Sequence, residues 1–249
     1  MKTVIISDTH LKFYENDEDI QRRQNVLAFL ETLKHKTDLL IINGDFFDLW
    51  IAWKHVIIRE YFSILIMLYE LVKSGTRIVM LPGNHDFWFN SFLQKSLGIE
   101  ICQSSFISEI EGKSFFIDHG DRYTRNDLRY HIYRFFIRNR LIQSISAAFH
   151  PDFSLGIGIK LSRSSRKRRI PHKKREMLIM GLRTAAENLI TKNNYDYVIF
   201  GHSHIPTLEK CTNGIYANSG DWISHSTYLV FEHGELTINE YKIEGVLHE

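Results

Sequence analysis

Five short motifs with side chains able to hold cations occur in order along the chain: Asp8-Thr9-His10, Gly44-Asp45, Gly83-Asn84-His85-Asp86, His119-Gly120-Asp121 and Gly201-His202-Ser203-His204. Their carboxylates, imidazoles and amide oxygen form a donor set of nitrogen and oxygen only. Such a set fits two adjacent divalent cations with a water between them. Asp8 and His10 stand on alternate residues just past an apolar run, and residues i and i+2 at a strand end point the same way. His202 and His204 repeat that spacing behind Gly201. Asp45 has two oxygens and can bridge two ions, and Gly44 lets the backbone turn close to a site. Asn84 offers a neutral oxygen; His85 is expected to face a substrate, with Asp86 fixing its tautomer. Singly, each motif has an ordinary reading as a turn, a helix cap or a surface histidine, and a chain with 13 histidines supplies such coincidences. Five in order, each behind an apolar run, carry the metal reading.

The elements that must position these residues are legible from periodicity. Apolar runs at 3–7, 38–42 and Arg77–Leu81 read as buried strands. Between them, 17–36 has helical spacing through Ile20, Leu27, Leu30 and Leu33, capped by Asn16 or Asp17, and 54–74 reads as a helix closed by Gly75. Strands joined through helices pair in parallel. Farther on, Glu111-Gly112, Asn213-Gly214 and His233-Gly234 mark hairpins, and Tyr197–Phe200 is a strand. A basic helical stretch is expected over about 126–193, broken at His150-Pro151 and around Gly156 and Gly158. The expected class is α/β (α+β): one domain with a two-layered β-sandwich core flanked by helices, carrying a helical insertion at about 122–192.

Composition narrows the function further. The net charge of +2 conceals thirteen Lys and Arg against Asp152 alone over 128–175, a local +12 that leaves −10 for the remainder. That split points to a partner rich in negative charge, either phosphate or a membrane surface, with a solvated helical face as the plain alternative. No segment has the apolar length of a membrane span; 56–72 comes nearest and is interrupted by Arg59, Glu60 and Glu70. The opening residues have too short an apolar run for a secretion signal. Cys102 and Cys211 have no metal-type spacing. A cytoplasmic setting is expected.

The five motifs together resemble the calcineurin-like metallophosphoesterases. The resemblance implies that Asp8, His10, Asp45 and His204 hold one metal, that Asp45, Asn84, His119 and His202 hold the other, and that His85 contacts phosphate. A narrower likeness lies in Gly44-Asp45-Phe46-Phe47-Asp48-Leu49-Trp50, Asn84-His85-Asp86-Phe87-Trp88, His150-Pro151-Asp152-Phe153-Ser154-Leu155-Gly156 and Asn218-Ser219-Gly220-Asp221-Trp222. These resemble the UDP-2,3-diacylglucosamine diphosphatases of lipid A synthesis. In that family a helical insertion after the fourth motif covers the metals and receives acyl chains, and here the corresponding stretch contains Phe135, Phe136, Ile137, Leu141, Ile142, Ile145 and Phe149. Many proteobacterial members carry arginine where this chain has His85. Arginine suffices when the leaving group is a phosphate, whereas histidine also serves an alkyl diester that needs a proton.

The likeness implies hydrolysis of a nucleotide-activated acylated sugar to UMP and a sugar phosphate, with two divalent ions. Mn²⁺ suits the donor set, and iron or zinc also fits it. Asn84, Asp127, Arg163, Ser164, Ser165 and Arg166 are the candidate substrate contacts, with ordinary surface residues as the alternative for the last five; Asp48 is a candidate support for the metal ligands. A peripheral position on the inner membrane is the matching location. Two rivals remain open: another phosphodiesterase or nuclease of the same superfamily, whose basic insertion would grip nucleic acid, and a non-catalytic scaffold.

Overall fold

The computed structural model describes residues 1–14, 16–89, 91–123, 139, 145, 149–167 and 172–242, the last seven residues of 149–167 by backbone alone. Two sheets face each other. The first has the order β11-β10-β1-β2-β3-β4, from β1 (Thr3–Ile6), β2 (Leu39–Asn43), β3 (Arg77–Leu81), β4 (Glu100–Ile101), β10 (Thr227–Glu232) and β11 (Glu235–Glu240). The second has the order β5-β6-β7-β9-β8, from β5 (Phe106–Ile110), β6 (Lys113–Ile117), β7 (Tyr197–Phe200), β8 (Thr207–Lys210) and β9 (Ile215–Asn218). β1 to β4 run parallel, as do β6, β7 and β9.

Alternation along the strands builds three apolar layers, because successive side chains leave opposite faces. Ile5, Leu39, Ile41, Val79 and Leu81 meet Phe115, Ile117, Tyr197 and Ile199 between the sheets. Their neighbours Val4, Ile6, Leu40, Ile42, Ile78 and Met80 face outward onto α1 (Asp17–Leu33) and α2 (Phe62–Lys73). Phe116, Val198 and Phe200 pack on Leu182, Ala186 and Ile190 of α5 (His172–Asn193). α3 (Ser91–Leu97) leads into β4, and α4 (Pro151–Lys167) precedes α5.

α1 starts where expected: Asn16 accepts from the Asp19 amide and Asp19 answers the Asn16 amide, a reciprocal cap. It stops at Leu33, short of the expected 36, as His35 takes a left-handed conformation with φ 58°. The helix expected over 54–74 is corrected to a 3₁₀ turn, Arg59–Tyr61, followed by α2. The β-branched run Val56-Ile57-Ile58 is a poor helix former. Trp53 and Ile58 enter the core instead, and the buried Tyr61 hydroxyl donates to the carbonyls of Leu11 (3.0 Å) and Leu49 (3.1 Å).

The break expected at Gly156 and Gly158 is also corrected, since α4 runs through both. The glycine at 158 serves close approach: a Cβ there would lie 2.5 Å from Leu49 Cδ2. α4 therefore lies against the loop that follows β2. Most of the helix expected from 126 to 148 lies outside the described residues.

Candidate metal centre

Each motif emerges at the carboxyl end of a parallel strand, where helix-connected sheets generally gather their ligands. Asp8 and His10 follow β1, Asp45 follows β2, Asn84 and His85 follow β3, His119 follows β6, and His202 and His204 follow β7. The loops are laced together by backbone bonds: the Asp8 amide donates to the Gly44 carbonyl (3.1 Å), the His10 amide to the Asp45 carbonyl (2.9 Å) and the Gly201 amide to the His119 carbonyl (3.0 Å). Asn43 Nδ2 donates to the Asp118 carbonyl across the two sheets at 3.0 Å.

Asp8, His10, Asp45, His202 and His204 all have positive φ, between 44° and 64°. Such conformations are uncommon for residues with a Cβ and cluster at functional sites. Here they aim five donors inward. Three glycines make room: a Cβ on Gly83 would lie 2.0 Å from Asp45 Oδ1, one on Gly44 2.6 Å from His119 Nδ1, and one on Gly201 2.7 Å from Asp8 Oδ2.

Three mutually close donor groups result, Asp8–His10–His204, Asp45–His119–His202 and His10–Asp48–His85; the first two form the proposed pair of metal positions, and the third sets His85 and Asp48 at their edge. His204 Nε2 lies 3.3 Å and His10 Nε2 3.8 Å from Asp8 Oδ1, and the two imidazole nitrogens are 3.4 Å apart. Across the site, His119 Nε2 lies 3.3 Å from Asn84 Oδ1, and Asp45, His119 and His202 form a second mutually close set. Asp45 joins the first two groups, its Oδ2 standing 3.7 Å from His10 Nε2 and 3.4 Å from His119 Nε2.

The arrangement fits cations. Asp8 Oδ1 is buried and accepts no hydrogen bond from any described residue, while facing two imidazoles. A buried anionic oxygen left in that state is costly unless a cation completes it. The donors are held from behind, as metal-bound histidines commonly are. His119 Nδ1 bonds the Asn43 carbonyl at 2.9 Å, and His204 Nδ1 bonds Asp221 Oδ2 at 3.0 Å.

Asp86 is a correction. Its carboxylate does not face His85; it accepts the amides of Asp45 (2.9 Å), Phe46 (2.8 Å), Phe47 (3.0 Å) and Gly83 (3.0 Å). It thus ties the β2 loop to the β3 loop. His85 Nδ1 instead lies 3.2 Å from the Asp48 carbonyl and 3.6 Å from Asp48 Oδ1. The same Asp48 oxygen is 4.0 Å from His10 Nδ1. Asp86→Ala would leave four buried donors without their acceptor and is expected to lower stability by about 3 kcal/mol or more. Urea unfolding checks this; a loss under about 1 kcal/mol would contradict the tie.

Electrostatics distinguish the histidines. Burial drives His10 well below its ordinary range and His202 down to about 3, so both are neutral donors. Burial also opposes a charge on His119, but Asp45, aided by Asp8 and Asp121, outweighs it and lifts His119 well above its ordinary value. For Asp45, burial favours the neutral acid, yet His119, His85 and His10 hold it ionised. Burial beside Asp45 raises Asp86 to about 7 against the pull of its amide donors. Burial also opposes a charge on His204, but Asp8 and Asp221 outweigh it, so His119 and His204 both hold protons more tightly than a free imidazole, whereas His10 and His202 hold them less tightly. Metal uptake is therefore expected to release protons and to weaken as the pH falls. Calorimetric titrations in buffers of different ionisation enthalpy measure this, and pH-independent uptake would refute it.

Among the remaining candidates, Asp127 lies outside the described residues. Arg163, Ser164, Ser165 and Arg166 belong to α4, where only the backbone is described. Trp50, Trp53 and Trp222 are buried packing residues. Asp221 has no role in the sequence-based assignment, although it falls in the Asn218-Ser219-Gly220-Asp221-Trp222 motif; a carboxylate three residues past a strand, behind a glycine, was the available signal.

Comparison with known proteins gives a consistent picture. The family described as calcineurin-like phosphoesterase matches residues 1–206. The chain is 31% identical to the UDP-2,3-diacylglucosamine hydrolase of Porphyromonas gingivalis, over 93% of this chain and 94% of the relative. It is 29% identical to the protein of the same name from Pseudomonas fluorescens, over 88% and 86%. Among solved structures, an archaeal phosphodiesterase superposes with a TM-score of 0.52 at 17% identity, over 96% of this chain and 99% of its own, a likeness of fold.

Proposed function

The chain belongs to the calcineurin-like phosphoesterase family and is a metal-dependent phosphoester hydrolase, and from that premise we propose that it cleaves the pyrophosphate bond of UDP-2,3-diacylglucosamine. The products are UMP and 2,3-diacylglucosamine 1-phosphate. The observation that carries this substrate is likeness along nearly the whole chain to hydrolases of that name.

Asp8, His10, Asp45 and His204 would hold one divalent ion, and Asp45, Asn84, His119 and His202 the other, with Mn²⁺ the metal we propose. When bound, the pair of ions polarises the phosphoryl oxygens and lowers the pKa of a coordinated water. The protein fixes the geometry. Asp45 accepts the His85 amide through Oδ1 (2.8 Å) and turns Oδ2 toward the His10 and His119 imidazoles, so the carboxylate that would serve both ions and the histidine that would face phosphate are set relative to each other. His85 Nδ1 is held at Asp48, which leaves Nε2 for the phosphate. Burial would disfavour a charged His85, but Asp45 and Asp48 overcome this and raise its pKa, so it is well placed to donate to developing negative charge.

Substrate size is matched beyond the metals. α4 packs Leu155 and Ile159 on the core and exposes Phe153 and Ile157, an apolar outer face suited to acyl chains. The basic stretch at 128–175 supplies charge for the diphosphate. Among the described residues no helix is long and apolar enough to cross a membrane. We place the enzyme in the cytoplasm, peripheral on the inner membrane, where its lipid substrate lies.

The deciding experiment supplies UDP-2,3-diacylglucosamine and Mn²⁺ to the purified protein and measures UMP. Release of UMP is expected. Steep salt dependence with DNA or RNA, and no UMP, would instead favour the nuclease reading, which His85 supports because an imidazole can protonate an alkoxide leaving group.

A further inference from the structure

The connection from β9 to β10 touches one of the two proposed metal positions and does so through several independent contacts. Asp221 is buried at the carboxyl end of β9, and its Oδ2 meets His204 Nδ1 at 3.0 Å. Its Oδ1 accepts the amides of Ser224 (2.9 Å) and His225 (3.1 Å) and lies 3.0 Å from His225 Nδ1. The carboxylate is thus locked by its own loop before it reaches His204. The neighbouring Trp222 amide donates to the Asp8 carbonyl at 3.2 Å. The Ser219 hydroxyl bonds the Ser7 hydroxyl at 2.7 Å, and Ser7 in turn donates to Asp8 Oδ2. Asp8 and His204 belong to the same group, whose imidazoles stack with centroids 5.1 Å apart. In the other group His119 is oriented by the Asn43 carbonyl on β2 and the loop bearing Asn84 by Asp86; His202 meets the first group only through its backbone amide, which donates to Asp8 Oδ2 at 3.0 Å, and no contact with Asp221 orients these side chains among the described hydrogen bonds.

We infer that Asp221 is a positioning residue for one metal position only, with His225 as its outer brace. The loop fixes the His204 tautomer with Nε2 facing the cation, so affinity at the Asp8–His10–His204 position depends on Asp221 while the His119–His202 position does not. This rests on the dinuclear assignment above.

The test titrates Mn²⁺ into the metal-free full chain and reads stoichiometry and affinity, without substrate. The unaltered protein is expected to take up two equivalents. Asp221→Asn keeps a similar shape but replaces one acceptor oxygen with a donor, and is expected to leave one equivalent unchanged while the other weakens 10- to 100-fold. Equal weakening of both, or of neither, overturns the inference. Two equivalents in the unaltered protein uphold the dinuclear assignment whatever the variant shows; fewer than two remove that assignment and this inference with it. Should Asp221→Asn not yield soluble protein, His225→Ala decides, because the His225 side chain is 37% exposed and its loss spares the core. A several-fold weakening confined to one equivalent is then expected, and an unchanged ratio between the two affinities overturns the proposal.

Discussion

Asp45→Ala is expected to lower turnover by about 10³-fold or more and to leave the purified protein with less than one bound metal. The expectation follows from the position of this side chain between both proposed metal positions. Its Oδ2 is within 3.7 Å of His10 Nε2 and 3.4 Å of His119 Nε2. Removal also strips the His85 amide of its acceptor, so the loss is not confined to charge. Metal content by mass spectrometry, together with turnover of a chromogenic phosphodiester, gives the answer. Near-normal content and rate would show that the ions do not share this residue.

His85→Ala is expected to behave differently: metal content stays at the unaltered level while turnover falls about 10²- to 10⁴-fold. Its imidazole is held from Asp48 and stands T-shaped to His10 with centroids 4.8 Å apart, beside the donor cage without closing either proposed metal position. The same fractional loss should appear in kcat at saturating substrate, since the contribution is to charge that develops in the transition state. Loss of a metal equivalent on this substitution would reassign His85 to the cage. Because Asp48 sits behind both His85 and His10, it is the residue whose loss would mix the two phenotypes.

The separation of these two phenotypes depends on how the loops are held. Asp86 ties Gly83 to the 45–47 amides, so the β2 and β3 loops are fastened to each other. The Asp8 and Gly44 loops are joined by backbone bonds, and the His119 and Gly201 loops likewise. Donors drawn from five loops are thereby held at the ends of short strands, of which β1, β2 and β7 are buried throughout. Residues with positive φ carry five of the seven proposed metal ligands, a local cost that the surrounding backbone bonds offset.

The sequence by itself determined the identity of the donors, their placement at strand ends, and the alternation that assigns each strand face to a layer. Those properties are local: an apolar run of four or five residues with a polar break, and a glycine beside Asp45, Asn84, His119 and His202, specify where a strand stops and a turn begins. It also determined the hairpins at Glu111-Gly112 and His233-Gly234, because those turns need a residue that accepts positive φ.

Tertiary structure alone decided what lies behind the donors. Asp86 follows His85 directly in the chain, yet its carboxylate reaches the amides of another loop, while the partner of His85 is Asp48, 37 residues earlier. Asp221 reaches His204 from 17 residues away only because β9 inserts between β7 and β8 and runs parallel to β7. Gly158 permits a helix where its type alone signals a break, since the space it leaves is filled by Leu49. In each case the side chain's direction is set by loop dihedrals and by strand order, and both depend on contacts distant in sequence that no local pattern encodes.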